Sequence, residues 1–198
     1  MDYARSSAQR AAASTKIVVA GGFGVGKTTL VGSVSEIVPL RTEALVTNES
    51  EGVDDLAAVP SKSTTTVAMD FGRLTLAEDL VLYLFGTPGQ RRFWFMWDDL
   101  CLGAIGAIVL VDTSRLDESF SPLDYFESKG LPFIVGVNHF EGTPRYALDD
   151  VANALALRPE VPIINVDARQ RESAKQALVR VTEYALQKLI QTVPVKVS

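Results

Sequence analysis

The sequence predicts an α/β fold: a mostly parallel sheet with one antiparallel hairpin and helices on both faces. Three observations point to it. After Lys16, short β-rich runs alternate with segments that carry apolar residues at helical spacing. Two unbroken apolar runs, Ala104–Val111 and Phe133–Val137, have the composition of strands buried on both faces. Two further strand-like runs, Thr65–Leu76 and Asp79–Phe85, are joined by only Ala77 and Glu78. So short a link forces an antiparallel hairpin, because a parallel crossover needs a dozen or more residues.

Taken in order, residues 1–15 hold Ala, Ser, Arg and Gln without an apolar face and are expected to form a flexible leader. One compact domain then spans 16–192, and 193–198 form a short tail. Ile17–Ala20 is an apolar strand. A Gly-rich turn follows, then a helix from Lys27 to about Ile37, which Pro39 helps to close. Residues 40–63 are polar and acidic with little periodicity and read as a long loop, a kind usually functional or mobile. After the hairpin, residues 91–100 are helical or irregular. Pro162–Val166 is a third apolar strand beside the two long ones. Helices are expected at about 116–129, 145–157 and 171–191, the last with Ala174, Leu178, Val181, Ala185 and Leu189 facing inward.

Composition narrows the chemistry. The 198 residues are 47% hydrophobic and 22% charged, which suits one folded domain. Nineteen basic against twenty-four acidic residues give a net charge of −5, without the clustered positive charge that nucleic acid requires. The only cysteine, Cys101, excludes an intrachain disulfide, a cysteine zinc cluster and a CxxC pair. It sits in an apolar run, where a buried inert thiol is expected. The only histidine, His139, excludes multi-histidine metal sites. The longest apolar run, twelve residues from Leu100, is too short to span a bilayer, and neither a secretion signal nor a lipidation motif is found. The expected location is cytoplasmic, with no direct membrane anchor and any membrane recruitment through a partner.

The segment Gly21-Gly22-Phe23-Gly24-Val25-Gly26-Lys27-Thr28 fits G-x-x-x-x-G-K-[ST] between a strand and a helix. Glycines at these positions let successive backbone N–H groups converge on phosphate oxygens, and the helix start adds its positive dipole end. Lys27 would bridge the outer phosphates, Thr28 would offer a hydroxyl to Mg²⁺, and Thr29 continues the nucleotide-contacting stretch. The motif specifies a nucleoside triphosphate without saying which one.

Downstream, Phe85-Gly86-Thr87-Pro88-Gly89-Gln90 closes the second hairpin strand. With the phosphate loop, this stretch resembles the Ras-like small GTPases, whose matching element is D-x-x-G-Q. It is most similar to bacterial MglA-like and actinobacterial conservon-type members, which carry a T-P-G-Q run. The resemblance covers about residues 16–190. It implies a Ras-like G domain of the P-loop NTPase class that binds GTP or GDP with Mg²⁺. By this match the Gly89 amide contacts the third phosphate, Gln90 orients the attacking water, and Thr66 joins Mg²⁺ and that phosphate, with Thr65 as the alternative if the register differs by one. Two departures stand out. Gly86 replaces the aspartate that usually holds a Mg²⁺-bound water; Asp112, at the end of Ile108–Val111, is a rival for that role, although a strand-end turn former is the simpler reading. Phe23 replaces a residue that is often Gly and faces the glutamine.

Asn138-His139-Phe140-Glu141 stands where the family has [NT]-K-x-D, whose carboxylate pairs with guanine N1–H and N2–H₂. Glu141 keeps the charge with a longer stem, His139 replaces the lysine that covers the base, and Asn138 would brace the phosphate loop. Asp167-Ala168-Arg169 resembles the S-A-[KLR] element, whose Ala amide reaches guanine O6. The resemblance therefore implies a slow GTP-hydrolysing switch in bacterial signalling. It also implies a Roadblock/LC7-type regulatory partner and a downstream effector that reads residues 40–66 and 86–100. Two alternatives stay open: a non-hydrolysing scaffold, favoured by Gly86 and Phe23, and an ATP-using enzyme, favoured by His139 and Glu141.

Residues 91–97 read RRFWFMW. Five bulky residues in succession cannot share one helical face. With Phe93 and Trp97 inward, Trp94 or Phe95 turns outward as a docking aromatic, or else the whole cluster lies under a neighbouring helix.

Overall fold

Ile17, Val18, Val19 and Ala20 are all fully buried, yet they belong to two different cores. Ile17 and Val19 face one side and Val18 and Ala20 the other, the period-two signature of a strand covered on both faces. Ile108 and Leu110 against Ala107, Val109 and Val111 repeat the pattern in the neighbouring strand. In this computed structural model the described residues are 13–38, 40–47, 64–89 and 91–192.

Among the described residues seven strands form one sheet in the order β2-β3-β4-β1-β5-β6-β7. They are β1 (Ala13–Gly21), β2 (Leu40–Thr47), β3 (Thr64–Ala77), β4 (Leu80–Gly86), β5 (Gly106–Val111), β6 (Phe133–Asn138) and β7 (Ile163–Val166). β1 pairs in parallel with β4 and β5, and β6 continues the parallel array to β7. Helices α1 (Lys27–Val34) and α5 (Arg171–Thr192) supply Leu30, Val31, Val34, Ala174, Ala177, Leu178 and Val181 to the core on one face. On the other, α2 (Trp97–Cys101), α3 (Asp117–Lys129) and α4 (Leu148–Ala154) supply Trp97, Leu123, Phe126 and Val151. The α/β class with helices on both faces is as the sequence predicts.

Four details differ. Residues 40–47 are not loop but the edge strand β2, antiparallel to β3 from Leu40 opposite Phe71 to Thr47 opposite Thr64. The free backbone edge of β3 provides a partner that the segment's mixed polarity did not advertise. The sheet thus has two antiparallel pairings rather than one hairpin alone; residues 48–63 lie outside the described set. Strand β1 begins at Ala13, three residues inside the expected leader, with Ala13–Thr15 paired to Leu80–Leu82. Helix α1 stops at Val34, because the Ser35 hydroxyl accepts from the amides of Ile37 and Arg73 and draws the chain out of the helix. Finally, Leu189 of α5 faces outward, while Ala174, Leu178, Val181 and Ala185 are buried as expected.

The aromatic run is divided. Arg91–Met96 is a 3-10 turn leading into α2. Trp97 is fully buried, edge-on to Tyr125 at 5.0 Å and stacked on Phe126 at 5.8 Å, and its Nε1 donates to the Pro88 carbonyl. Phe93 is buried, Trp94 packs partly buried against Trp97, and Phe95 is the outward residue, 63% exposed. Truncating Trp97 to Ala should lower the unfolding free energy by about 3–5 kcal/mol, measured by urea denaturation, since the indole fills a core site and ties down the Pro88 turn.

Candidate functional site

The carboxyl ends of the parallel strands carry their following loops to one edge of the sheet, where open α/β sheets bind ligands. Among the described residues five loops meet there: 22–26 after β1, 87–89 after β4, 112–116 after β5, 139–142 after β6 and 167–170 after β7. Gly24 and Gly26 have φ of +72° and +104°, left-handed values that glycine adopts without strain. A Cβ on Gly26 would also lie 2.5 Å from the Asn138 amide nitrogen, so that corner admits glycine alone.

Lys27 opens α1 and is buried, with Nζ donating to the carbonyls of Gly21 at 3.0 Å and Gly22 at 2.6 Å. Burial lowers its pKa to about 8, against the opposing pull of Asp70 and Glu118. The ammonium therefore lies inside the loop, held at a cost that a polyphosphate would offset. Gly89 presses on the same place: a Cβ there would stand 2.9 Å from Lys27 Nζ and 2.9 Å from Phe23 Cα. The Thr87-Pro88-Gly89 turn and the phosphate loop are in contact, which suits a group that bridges them.

Beside Lys27, the Thr28 hydroxyl donates to Asp70 Oδ2 at 2.6 Å. Asp70 is buried and lies directly across the β3–β4 pairing from Gly86. A Cβ on Gly86 would be 2.9 Å from Asp70 Oδ2. A carboxylate thus reaches the end of β4 from the adjacent strand, and glycine at 86 leaves room for it. Asp112 does not compete. Ser114 and Arg115 consume its carboxylate: Ser114 donates through both N–H and hydroxyl to Oδ1, and Arg115 donates to Oδ2. Burial alone would raise the Asp112 pKa, but these bonds hold it below the usual value. Arg115 also donates to the Phe23 carbonyl at 3.1 Å, bracing the phosphate loop from β5. The Phe23 ring is 66% exposed.

Asn138 joins the two halves of the edge. Its Nδ2 donates to the Val25 carbonyl at 2.9 Å, and its Oδ1 accepts from the Ala168 amide at 3.0 Å. The Ala168 N–H, expected to face a base, is here engaged by Asn138. A cavity of about 210 Å³ opens over this point, lined by Gly24, Gly26, Thr29, Asn138, His139, Phe140, Glu141, Asp167, Ala168 and Arg169. His139 Nε2 is 3.0 Å from Asn165 Oδ1. Arg169 donates to both Asp167 oxygens at 3.0 Å and reaches Glu141 at 3.4 Å, so the carboxylate expected to read the base is paired, though its side chain is 90% exposed. Ion pairs this open contribute little and exchange readily.

The expected residues Gly21, Gly22, Phe23, Gly24, Val25, Gly26, Lys27, Thr28, Thr29, Gly89, Asn138, His139, Glu141, Ala168 and Arg169 all lie on this edge. Gln90 falls outside the described residues, as does the side chain of Thr66, whose backbone pairs with Leu45 in β3. The sequence reading missed Asp70, Arg115 and Glu118. Among the described residues no group of three or more His, Cys, Asp and Glu side chains could hold a metal by itself. A Mg²⁺ ion, however, is commonly held by one or two carboxylates plus substrate phosphates, and the part-buried pair of exposed Thr28 and buried Asp70 fits that donor set.

The sheet and this loop define the chain as a P-loop nucleotide-binding protein with the architecture of a G domain. The family described as "Conserved hypothetical ATP binding protein" matches residues 19–188, and the chain belongs to that family. It is 34% identical over 125 residues to the uncharacterized protein MJ1339 of Methanocaldococcus jannaschii, covering 62% of this chain and 68% of that protein. Two solved structures share the fold. One is the FeoB G-domain of Methanococcus jannaschii (TM-score 0.56, 14% identity, 86% of this chain and 98% of that one). The other is the cytosolic domain of the T. maritima FeoB iron transporter in a GDP form (TM-score 0.61, 17% identity, 88% of this chain and 64% of that one). Among the described residues no helix is long and apolar enough to cross a membrane.

Proposed function

We propose that this protein is a GTP-dependent switch of the small-GTPase kind that hydrolyses GTP slowly and acts with a protein partner. The observation that carries the reading is the meeting of buried Lys27 and Asp70 with the Thr28 hydroxyl and Gly89 around the phosphate loop. The loop amides and Lys27 bind the phosphates of the nucleotide. Thr28, supported by Asp70, and Thr66 hold Mg²⁺, which when bound neutralises charge on the outer phosphates. Gly89 senses the third phosphate, Gln90 orients water, and closure of residues 40–66 and 86–100 follows from those contacts. Asn138 fixes the base cavity to the loop, and the Glu141 carboxylate, released from Arg169, pairs with guanine N1–H and N2–H₂. The exposed Phe95, six residues after Gly89 in the chain, is the docking aromatic for a regulator of the Roadblock/LC7 type or an effector.

The likeness to MglA-like and conservon-type proteins supports the switch reading through the T-P-G-Q run. A second reading, ATP as the nucleotide, is favoured by the pairing of Glu141 with Arg169 and by the family's description. Hydrolysis of radiolabelled GTP in Mg²⁺ tests the enzymatic part. The Phe23 backbone adjoins Gly89, and in this reading its ring hinders the attacking water, so Phe23→Gly should raise the single-turnover rate about tenfold, roughly 1.4 kcal/mol of barrier. No turnover in either form, even with a regulator present, would favour the scaffold.

A further inference from the structure

Two carboxylates of the base cavity, Glu141 and Asp167, compete for one guanidinium, and the contest is unequal. Asp167 takes three donors from Arg169, each at 3.0 Å: the backbone N–H and Nε on Oδ1, and Nη2 on Oδ2. Glu141 receives Nη1 at 3.4 Å, beyond the usual N–H···O range of about 2.7–3.2 Å. A two-pronged arginine–carboxylate fork is the stronger and more directional arrangement. The fork is also anchored. Asp167 sits in the turn before α5, where its N–H donates to the Ser173 hydroxyl at 2.9 Å and its carbonyl accepts from the Gln170 N–H at 3.0 Å. Its side chain is 26% exposed, against 90% for Glu141. Asn138, the other polar acceptor beside them, spends both ends of its amide on Val25 and Ala168. Of these acceptors, Glu141 is the one held by a single long bond.

The geometry points to Asp167 as a positioning residue for base selection: by clamping the Arg169 guanidinium it withholds that group from Glu141 and leaves the Glu141 carboxylate to the base. The inference rests on the guanine reading above and names what sets its strength. A guanidinium so close to two carboxylates pairs with whichever presents the better fork. With a neutral side chain at 167 the fork closes on Glu141 instead. Guanine N1–H and N2–H₂ must then displace a paired group rather than meet a waiting one, and the advantage of guanine over other bases shrinks. Asp167 itself touches no base in this scheme, since both of its oxygens are committed to Arg169.

Displacement of a fluorescent GDP analogue from the full chain in Mg²⁺ gives the affinities for GTP, ITP and ATP. ITP lacks the 2-amino group, so the ratio of GTP to ITP affinity reads one hydrogen bond to the Glu141 carboxylate, about tenfold in the parent chain. Asp167→Asn keeps the shape and removes the charge. It should cut that ratio to about threefold or less and lower GTP affinity about tenfold, with ATP affinity changing less than about twofold. Removing the released guanidinium as well, in Asp167→Asn with Arg169→Gln, should return the ratio to near the parent's. Such a rescue is not expected of a merely structural Asp167, and it also shows that the variant folds. A ratio untouched by Asp167→Asn, or one lost and not recovered in the double variant, would overturn the inference. A parent chain that binds GTP and ATP equally would reject the guanine reading and this inference with it. A parent that prefers GTP whatever stands at position 167 would reject the inference alone.

Discussion

Replacing Asp70 with Asn should weaken Mg²⁺-dependent nucleotide binding about 10–100-fold and leave binding in EDTA nearly unchanged. The amide keeps the shape and can still accept from the Thr28 hydroxyl, so only the charge is lost. Groups that orient a metal ligand typically contribute this much. The cross-strand geometry makes a sharper forecast. Gly86→Asp alone should not improve metal binding but should destabilise the fold, because its Cβ would stand 2.9 Å from Asp70 Oδ2 and bring two carboxylates together. Adding Asp70→Gly should relieve the clash and return the carboxylate to β4, recovering most of the Mg²⁺ dependence. The three variants are compared by magnesium titration of nucleotide affinity and by urea unfolding. A Gly86→Asp protein that is stable and binds Mg²⁺ better than the parent would contradict the assignment of Asp70.

Lys27→Met should reduce triphosphate affinity by about 10²–10⁴-fold, the loss of two charge-assisted hydrogen bonds to phosphate worth about 1.5–3 kcal/mol each. Stability without nucleotide should move the other way. The folded-state pKa of about 8 lies below the ordinary lysine value of 10.5, so the unfolded chain binds more protons between those pH values. Stability then rises with pH across that window, and below pH 8 the buried ammonium costs on the order of 3 kcal/mol. Methionine lacks the charge, so the variant should be at least as stable at pH 7 and flat from pH 8 to 10.5. A uniformly weakened protein, less stable and with the pH slope intact, would show that Lys27 is a structural residue only.

The central strands were legible because both faces are covered: Ile17–Ala20 and Ala107–Val111 had to be apolar at every position. The phosphate loop was legible because its glycines answer local backbone demands. Asp70 was hidden by register. A plain hairpin turning at Ala77 and Glu78 sets Asp70 opposite Phe85. The turn falls instead at Glu78 and Asp79, with Ala77 opposite Leu80, and the irregularity between Thr75 and Ala77 takes back one step so that Asp70 meets Gly86. A one-residue slip reverses every side chain, and no local composition signals where a bulge falls. β2 was hidden because an edge strand needs only one partner and tolerates charge. Leu189 was misjudged for a reason of length. At ~1.5 Å per residue the 22 residues of α5 run to ~33 Å, beyond the ~20 Å of the six-residue strand β5, so its last turns overhang the sheet they begin by covering.

The base cavity is where chemistry outruns motif. Asn138 is fully committed to Val25 and Ala168, while Glu141 and Arg169 hold an exposed pair that a base can exchange. The direct test is competition at equilibrium between GTP and ATP for the purified full chain in Mg²⁺. GTP should bind at least tenfold more tightly, and Glu141→Gln should erase most of that difference. Equal affinities, or tighter ATP, would contradict the switch as proposed here.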